Sequence, residues 1–431
     1  IPHYPDWTLF TQRFAMNKRV FLILALLLFS ISYAGIFELY GIGKVGLNYS
    51  VSALGRGKTS TAFSDSITVN LQNPANLAYL RNAGLEMSVQ THHNLISGTG
   101  NTDNFTGFNY GLMKFPIASK GAFTLGLVPL TSSNASIRID DDINGYSETA
   151  YAEGNIYSAS FGIGYSFFKR GQLAVGATAD FLMGGYNITK NIDFSEALSP
   201  VTIVSDEGFS GMQFSAGINI TPFRQLSIGA AYTLVSSSSR REIIHYMSHP
   251  SSYFYSYQDT INYIDTPVFP NQLRLGLALK LAPRYILTAD WMQYQFAELG
   301  LDFSFNPFYE DAQIRSFNHY GVGLEKQGIL SEYVPYHQSL TYRFGAFYDQ
   351  HYMADSQGDP VRTIGVSLGV GIPFTQFRNR IDAAFLCEYN TGSIYEIPGV
   401  IDPVKISEFV YHLKISISIA ETWFSTKGRF R

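Results

Sequence analysis

The chain has 431 residues, and its 30 Lys and Arg against 34 Asp and Glu give a formal net charge of −4. Charged residues make up only 15% of the chain and aromatic residues another 15%, with a mean hydropathy of +0.01. The sequence lacks the basic excess of nucleic-acid binders and has too many aromatic residues for a disordered chain. A single long apolar run excludes a polytopic helical membrane protein. Two classes remain: a soluble all-β protein, or a β-barrel that faces lipid outside and water inside.

The first element in chain order is an export signal. Residues 16–19 (MNKR) form a basic start, an apolar run covers 20–31, and residues 32–34 (SYA) place small residues where a signal peptidase cleaves. We therefore expect a signal peptide over 16–34 that is cleaved after Ala34. Residues 1–15 are expected to be an over-extended gene start, and an N-terminal anchor helix is the alternative for the apolar run.

The second element, residues 35–82, is rich in small residues and alternates poorly. The strands that follow are numerous enough to enclose a wide lumen, which water would fill unless something blocks it. We predict that residues 35–82 are an N-terminal hatch, or plug, inside that lumen. A periplasmic tail is the alternative.

From residue 83 onward the chain repeats long stretches that alternate apolar with small or polar residues. In the last stretch, Leu413, Ile415 and Ile417 share one face, and His412 and Lys414 share the other. These strands exceed the five or six residues common in soluble proteins and suit the roughly 9–11 residues that cross a bilayer at a tilt. Fourteen strands are predicted, near 83–91, 104–115, 120–130, 153–168, 172–187, 207–221, 225–236, 268–281, 284–297, 314–327, 338–349, 361–373, 379–391 and 406–424.

The connections between these strands alternate in length. Short turns follow strands 2, 4, 6, 8 and 12, an intermediate one follows strand 10, and longer polar loops follow the odd-numbered strands. An even strand count with short turns at one end and long loops at the other is typical of bacterial outer-membrane barrels. The sequence therefore predicts an all-β fold, a transmembrane antiparallel β-barrel over 83–431 in the outer membrane. Aromatic residues near strand ends, Trp291 and Tyr294 among them, are expected in interfacial girdles, and the single Cys387 is expected to face lipid.

The segment 52–78, with the stretches SALG, TAFSD and NLQNPANLA, resembles the N-terminal hatch of the FadL/TodX family. Members of this family are outer-membrane transporters for long-chain fatty acids and other hydrophobic compounds. Asn73, Pro74 and Ala75 form the family's most distinctive motif, and they stand just before the first strand, as in the family. Later stretches look similar: YGVGLE at 320–325, YRFGAFY at 342–348 and GVSLGVGIP at 365–373.

The resemblance implies a fourteen-stranded barrel closed by a hatch, with capture of fatty acids or aromatic hydrocarbons at extracellular loops and lateral release through the barrel wall. Some members of the family act instead as non-transporting partners or carriers in protein secretion, and this alternative stays open. A transporter predicts an apolar, ligand-sized cavity between hatch and wall together with a lateral gap. A filled interior without a gap would favour the partner role.

Two sets of residues are candidates for contact with the substrate path. Asn73 and Pro74 are predicted to hold an irregular backbone against a gap in the wall, with an ordinary turn as the alternative. Arg274, Lys280 and Arg343 lie on the predicted lumen face and are candidates to bind a substrate carboxylate. For each of these three cations, a structural ion pair is the favoured alternative.

A third set lies in the long loop over 236–268, where aromatic residues are concentrated. They are candidates for an amphipathic capture groove, although packing of the loop on itself explains them equally well. The residues are Tyr246, Tyr253, Phe254, Tyr255 and Tyr257.

Asp140, Asp142 and Asn144 match the opening of a calcium loop, but Tyr151 stands where its last ligand, a Glu, is expected. A solvated acidic loop is therefore preferred, and no metal is assigned. No motif for catalysis or for a cofactor is found, so we expect neither an enzyme nor a cofactor. The expected partners are the outer-membrane bilayer and a hydrophobic small molecule, with no nucleic acid, and the protein is expected to be a monomer.

Overall fold

The computed structural model describes residues 37, 42–46, 48–96, 102–117, 120–141, 146–168, 172–194, 199–248, 255–263, 268–299, 313–331, 333–355, 358–374, 379–395 and 404–421. Within these ranges the helical elements are short: α1 (Val51–Leu54), α2 (Tyr336–Ser339) and two 3₁₀ helices (Pro74–Tyr79 and Phe296–Glu298). No helix in these ranges is both long enough and apolar enough to cross a membrane.

The described residues form eighteen strands. In chain order they are β1 (Lys44–Val45), β2 (Ala83–Ile96), β3 (Thr102–Ile117), β4 (Gly121–Ser132), β5 (Ala135–Asp141), β6 (Tyr146–Phe167), β7 (Leu173–Phe194), β8 (Val201–Phe223), β9 (Leu226–Ser248), β10 (Tyr255–Tyr263), β11 (Gln272–Ala282), β12 (Tyr285–Tyr294), β13 (Gln313–Ile314), β14 (Phe317–Lys326), β15 (Thr341–Ala354), β16 (Pro360–Phe374), β17 (Asn379–Tyr395) and β18 (Val404–Glu421).

Fourteen of these strands form a closed antiparallel wall. The wall strands are β2, β3, β4, β6 to β9, β11, β12 and β14 to β18, each paired with the next. The ring closes where β18 pairs with β2, with His412 opposite His92. The predicted fourteen-stranded antiparallel barrel is therefore confirmed. We call the end that carries turns such as Pro283-Arg284 the short-turn end, and the opposite end the long-loop end.

The wall reverses the polarity of a soluble protein. In β16 the side chains of Ile364, Val366 and Leu368 are exposed on the outside, whereas Thr363 and Ser367 are buried inside. Strict alternation produces this because successive side chains of a strand point to opposite faces. An apolar outer face around a polar interior is the arrangement of a barrel in lipid. Cys387 lies half-buried on the outward face of β17, as predicted for a residue that faces lipid.

Strand lengths differ strongly around the wall. Strands β6 to β9 have 22 or 23 residues each, about twice the length needed to cross a bilayer, whereas β12 and β14 have 10. The prediction of a loop directly after residue 236 was wrong. There β9 continues to Ser248 and β10 returns beside it, with Tyr257 opposite Tyr246. The stretch EIIHYM at 242–247 is rich in β-branched and aromatic residues, which favour continued strand.

Aromatic side chains are exposed on the outer surface near the short-turn end, where Tyr165, Phe167 and Phe223 are among them. Tyr294 does not belong to such a girdle. It is buried inside the barrel and stacks on Phe317 with the ring centroids 5.2 Å apart. The pleat of β12 explains this difference, because Tyr294 shares the inward face with Asp290, four residues earlier.

Residues 42–46 and 48–82, which we call the internal segment, lie against the inward faces of the wall strands. Every residue from Val51 to Phe63 is buried. β1 pairs with β4, Lys44 opposite Ser132. The main apolar core joins this segment, through Leu54 and Leu77, to inward wall side chains such as those of Tyr110 and Leu112. The core of the protein therefore lies between the segment and the wall.

Candidate functional site

The Asn-Pro-Ala motif attaches the internal segment to the wall. Asn73 caps the 3₁₀ helix, with its Oδ1 accepting from the Ala75 N–H at 3.0 Å, and Pro74 occupies the first turn. The Asn73 Nδ2 donates to the Thr61 carbonyl at 2.8 Å and to the Ile218 carbonyl of β8 at 3.0 Å. One side chain thus closes the turn, bridges two parts of the segment and binds the backbone of the wall.

Inward glycines let the backbone of the segment approach the wall closely. A Cβ on Gly176 of β7 would lie 2.3 Å from the Pro74 carbonyl oxygen, and one on Gly345 of β15 would lie 2.1 Å from the Gly57 nitrogen. Contacts this short do not occur, so any side chain there would displace the segment. The residues that share this role, which we call the glycine belt, are Gly164, Gly176, Gly217, Gly229, Gly276, Gly321, Gly323, Gly345 and Gly369.

The glycine belt spans eight strands, from β6 to β16. Sequence reasoning placed these glycines on the small or polar face of each strand but did not identify what they contact. The sequence did indicate that several glycines occupy inward positions of neighbouring strands, because alternation places them there. It did not indicate that all of them contact the internal segment, which only the structure shows.

Buried charges near the short-turn end form an alternating chain of ion pairs between segment and wall. Arg343, a candidate for binding a substrate carboxylate, lies in the middle of it. Its Nε is 2.8 Å from Glu325 and its Nη1 is 2.7 Å from Asp382. This pairing favours a structural role for Arg343, because a substrate carboxylate would have to displace a protein one. The whole ionic chain runs Arg56–Glu325–Arg343–Asp382–Arg380–Asp65, with contacts of 2.5 to 2.8 Å.

Asp65 is the end of this ionic chain that belongs to the segment. Burial by itself would raise the pKa of Asp65. The Arg380 guanidinium, 2.5 Å from Oδ2, and the Ile67 N–H, 2.9 Å from Oδ1, instead hold that pKa well below its usual range. The carboxylate therefore stays charged and paired at neutral pH.

A second group of charges holds β1 and the start of the segment nearer the long-loop end. Lys44 of β1 is 2.7 Å from Glu388 of β17. Lys58 reaches the same carboxylate at 3.1 Å and Asp349 of β15 at 2.9 Å. In addition, the Tyr186 hydroxyl donates to the Ile42 carbonyl at 2.7 Å. The short strand β1 is thus fixed by wall residues from several sides.

Arg274 differs from Arg343, because no acidic side chain of the described residues forms an ion pair with it. It is 3% exposed, and its Nη1 donates to the Thr233 Oγ1 at 3.0 Å and to the Gln72 carbonyl at 3.4 Å. Lys280, the third candidate, is exposed beside the turn at the end of β11. The structure therefore places the three candidate cations in three different surroundings, and only Arg274 is buried without an acidic partner.

Arg274 lines a small cavity between the internal segment and the wall. The cavity measures about 50 Å³. Its lining mixes polar and apolar side chains of the wall and of the segment. The polar ones are Asn48, Asn70, Gln72, Thr124, Ser158, Ser160, Thr178, Asp180, Gln213, Ser215 and Arg274, and the apolar ones include Leu71, Leu77, Leu112, Val128, Pro129 and Leu130.

Next to this cavity the wall strands β3 and β4 separate. They pair only from Gly111 opposite Leu127 down to the short-turn end. Beyond that point β3 pairs with β2, whereas Thr131 and Ser132 of β4 pair with β1 of the internal segment. Pro129 lies at the separation and cannot donate to a ladder. We call this place the β3/β4 seam.

Burial supports an inward course of β4 at the seam. The stretch 128–134 is buried at every position, whereas the preceding part of β4 alternates between exposed and buried. A bulge in β3 accompanies it, because the register with β2 shifts between Ser88 and Val89. β4 therefore leaves the lipid-facing surface where it loses β3, and β1 takes the free edge.

The remaining candidates fall mostly at the margin of the described residues. Tyr246 is 39% exposed on β9, and Tyr255 and Tyr257 lie in β10, while Tyr253 and Phe254 lie outside the described residues. Asp140 lies in β5, and Asp142 and Asn144 also fall outside. Where the chain is described, no group of three His, Cys, Asp or Glu side chains is placed to hold a metal ion. The capture groove and the calcium loop therefore stay predictions.

The closed fourteen-stranded antiparallel barrel is similar to solved barrels of the FadL type. A FadL homologue of Pseudomonas aeruginosa has a TM-score of 0.64 at 13% identity, over 87% of this chain and 99% of that one. The monoaromatic hydrocarbon channel CymD has 0.60 at 13%, over 89% and 99%. The toluene transporter TbuX of Ralstonia pickettii has 0.58 at 14%, also over 89% and 99%. At such identities the likeness concerns the fold.

The chain also matches the model of the BamG family over residues 16–430, and it therefore belongs to the BamG family. No curated protein matches it in sequence.

Proposed function

We propose that this protein transports hydrophobic small molecules across the bacterial outer membrane. In this proposal the substrate is captured at the long-loop end, enters the space between the internal segment and the wall, and leaves sideways through the β3/β4 seam. The observation that carries the proposal is the seam itself, because the wall ladder is interrupted directly beside a buried cavity. The named functions of the similar channels CymD and TbuX agree with it.

The chemistry of the solute favours a lateral exit. A hydrophobic solute gains about 0.8 kcal/mol for each CH₂ that leaves water. A passage down a wet pore would lose this gain, whereas an exit through the wall keeps the solute in an apolar phase. The exposed apolar band of the barrel would place the seam in the lipid.

Transport along this route requires the interior to open. The cavity of about 50 Å³ is a third of the roughly 150 Å³ cavity that holds benzene in an engineered protein. This cavity is not the apolar, ligand-sized one that a transporter predicts, so under the proposal it has to widen in an open state. β1 is the element that has to move, because it covers the edge of β4 at the seam. Its movement requires that the ion pair between Lys44 and Glu388 breaks.

A disulfide that locks β1 tests this route. In a Cys387→Ser background, Val45→Cys and Thr131→Cys would join Cα partners of β1 and β4. Facing residues of antiparallel strands lie about 4.5–5.5 Å apart, within disulfide reach. Ala383→Cys with Ile415→Cys is the matched control, since these residues face each other in β17 and β18, away from the seam.

Uptake of labelled decanoate and of toluene into proteoliposomes is measured before and after reduction. We expect the oxidised β1 lock to abolish uptake and its reduction to restore it, while the control pair transports in both states. Full uptake through the oxidised lock would refute release at the seam.

The second candidate function is that of a non-transporting partner in protein secretion. The glycine belt and the ionic chain favour it, since both fix the internal segment to the wall. Under this function the oxidised lock would restore a deletion strain as well as the wild type does, and purified protein would transport neither compound. The same variants therefore separate the two functions.

A further inference from the structure

We propose that the cavity beside Arg274 binds the head group of an amphiphile, and that this head group is uncharged and both donates and accepts hydrogen bonds, as an alcohol or a primary amide does. Plain hydrocarbons and fatty-acid anions are then the poorer ligands. The inference rests on the proposed transport function, for which it names the substrate class.

The lining of the cavity is both polar and apolar. Ser158, Thr178 and Gln213 of β6, β7 and β8 contribute polar side chains, and Leu77 of the segment and Leu112 of β3 contribute apolar ones. A hydrocarbon would cover the polar groups without replacing the hydrogen bonds that they make with water, which is unfavourable. A ligand with a polar head and an apolar tail can satisfy both kinds of lining group.

Several polar atoms on the cavity lining are buried and lack a hydrogen-bond partner in the part of the chain that the structure describes. They are the Ser158 Oγ, the Gln213 Oε1 and the Arg274 Nε, in residues that are 5%, 5% and 3% exposed. Buried polar groups are normally paired, and unpaired ones in a native structure indicate a missing water or ligand. The three atoms include an acceptor, a donor and a hydroxyl that serves as either.

The two charges on the lining decide the charge of the head group. Among the described residues neither Asp180 nor Arg274 has an ion-pair partner. Asp180 receives only long hydrogen bonds, 3.3 Å from Gln213 and 3.4 Å from Thr178. A carboxylate would pair with Arg274 but be repelled by Asp180. An ammonium group would pair with Asp180 but be repelled by Arg274. A neutral head that accepts from Arg274 and donates to Asp180 satisfies both.

The size of the cavity agrees with this assignment. About 50 Å³ is room for one or two water molecules, and hence for a hydroxymethyl or an amide group, but not for an aromatic ring. The lining also includes Val128, Pro129 and Leu130 at the β3/β4 seam. A bound head would therefore leave its tail directed toward the place where the proposed route enters the lipid.

Equilibrium binding to the purified protein tests the assignment with four probes of equal chain length: decanol, decanamide, decanoate and decane. We expect decanol and decanamide to bind at least about tenfold more tightly than decanoate at neutral pH, and decane to bind most weakly. Decanoate binding as tightly as decanol would overturn the proposal.

Charge variants give a second, independent readout. Asp180→Asn removes the negative charge opposite Arg274, so the affinity for decanoate relative to decanol should rise by at least about tenfold. Arg274→Gln removes the positive charge, so the affinity for decylamine relative to decanol should rise instead. Lys280→Gln is the matched control, because Lys280 lies on the same strand as Arg274 but is exposed. The ratio between probes is read on folded protein only, so a loss of folded yield does not imitate the effect.

The outcomes separate this inference from the transport function. If the ratios do not move in Asp180→Asn and Arg274→Gln while the β1 lock still blocks uptake, the head-group assignment fails and transport stands. If the ratios move as expected and the locked protein transports normally, the seam route fails and the head-group site stands. Binding of all four probes within a factor of two would mean that the cavity holds only water, which refutes the assignment.

Discussion

Replacing one glycine of the glycine belt by alanine should loosen the internal segment without harming the wall. In Gly176→Ala, the new Cβ would lie 2.3 Å from the carbonyl carbon and oxygen of Pro74 and 2.6 Å from the Ala75 nitrogen. All three are backbone atoms of the 3₁₀ helix, so no side chain can rotate away. The segment has to move, and overpacking of this kind typically costs about 1–3 kcal/mol.

The matched control is Gly208→Ala in the neighbouring strand β8. No atom lies within 4 Å of a Cβ built there. The control therefore measures only the backbone effect of losing a glycine in a strand, which favours alanine by roughly 0.5–1 kcal/mol. Any loosening of the segment seen in Gly176→Ala but not in Gly208→Ala comes from the contact with Pro74.

Amide hydrogen exchange of the purified protein in micelles reads this out locally. A cost of about 1–3 kcal/mol corresponds to roughly 5- to 150-fold faster exchange of the amides of the 3₁₀ helix, at Asn76 and Leu80 for example. The amides of the wall should keep their wild-type rates in both variants. Unchanged exchange of the 3₁₀ helix in Gly176→Ala would refute the view that the glycine belt holds the segment in place.

Three further predictions follow from the buried charges and the outward faces. Glu325→Gln removes the carboxylate that the buried Arg56 and Arg343 share, and it should lower the free energy of urea unfolding by about 3–5 kcal/mol. The control Arg362→Gln breaks an exposed ion pair of 3.6 Å and should change the free energy of unfolding by no more than about 1 kcal/mol. Equal effects of the two variants would contradict a structural role for the ionic chain. Because the pKa of Asp65 is lowered in the folded protein, its contribution is complete above the ordinary aspartate value of about 3.9 and is lost as the pH falls below it. Hydrogen exchange of the segment around Asp65, corrected for intrinsic rates, should therefore accelerate below about pH 4. Asp65→Asn should exchange faster already at neutral pH and show a smaller acceleration in acid. A nitroxide attached to Cys387 should collide more often with lipid-soluble oxygen than with a water-soluble nickel chelate, because the side chain lies on the outward face of β17. Collision rates measured by electron paramagnetic resonance in the opposite order would place this part of β17 outside the bilayer.

The outward face of the wall could be predicted from the sequence because it depends on local physics. The pleat of a strand sends alternate side chains to opposite faces, so the pattern of Ile364, Val366 and Leu368 indicates two different environments without knowledge of any partner. The parity of long and short connections then indicates closure and an even strand count. The Asn-Pro-Ala motif likewise has a local part, since Asn73 caps the turn that Pro74 begins.

The contacts of the interior could not be predicted, because they join residues that are far apart in the sequence. Arg56 and Glu325 are 269 positions apart, and nothing near either of them indicates the other. For the same reason the sequence could not distinguish Arg343, which is neutralised by two acids, from Arg274, which is buried without one. Tyr294 was assigned to a girdle by its position near a strand end, but the pleat turned it inward.

For this protein the sequence by itself determined the barrel, its two faces and the place of the internal segment in the chain. The tertiary structure alone decided that glycines of eight strands receive that segment, that β1 takes the edge of β4 where β3 leaves it, and that a small cavity lies beside this seam. The physical reason is that alternation records only whether a side chain meets lipid or the interior. Which interior atoms meet is decided by the register of the closed ring, and that register brings distant strands around one short segment.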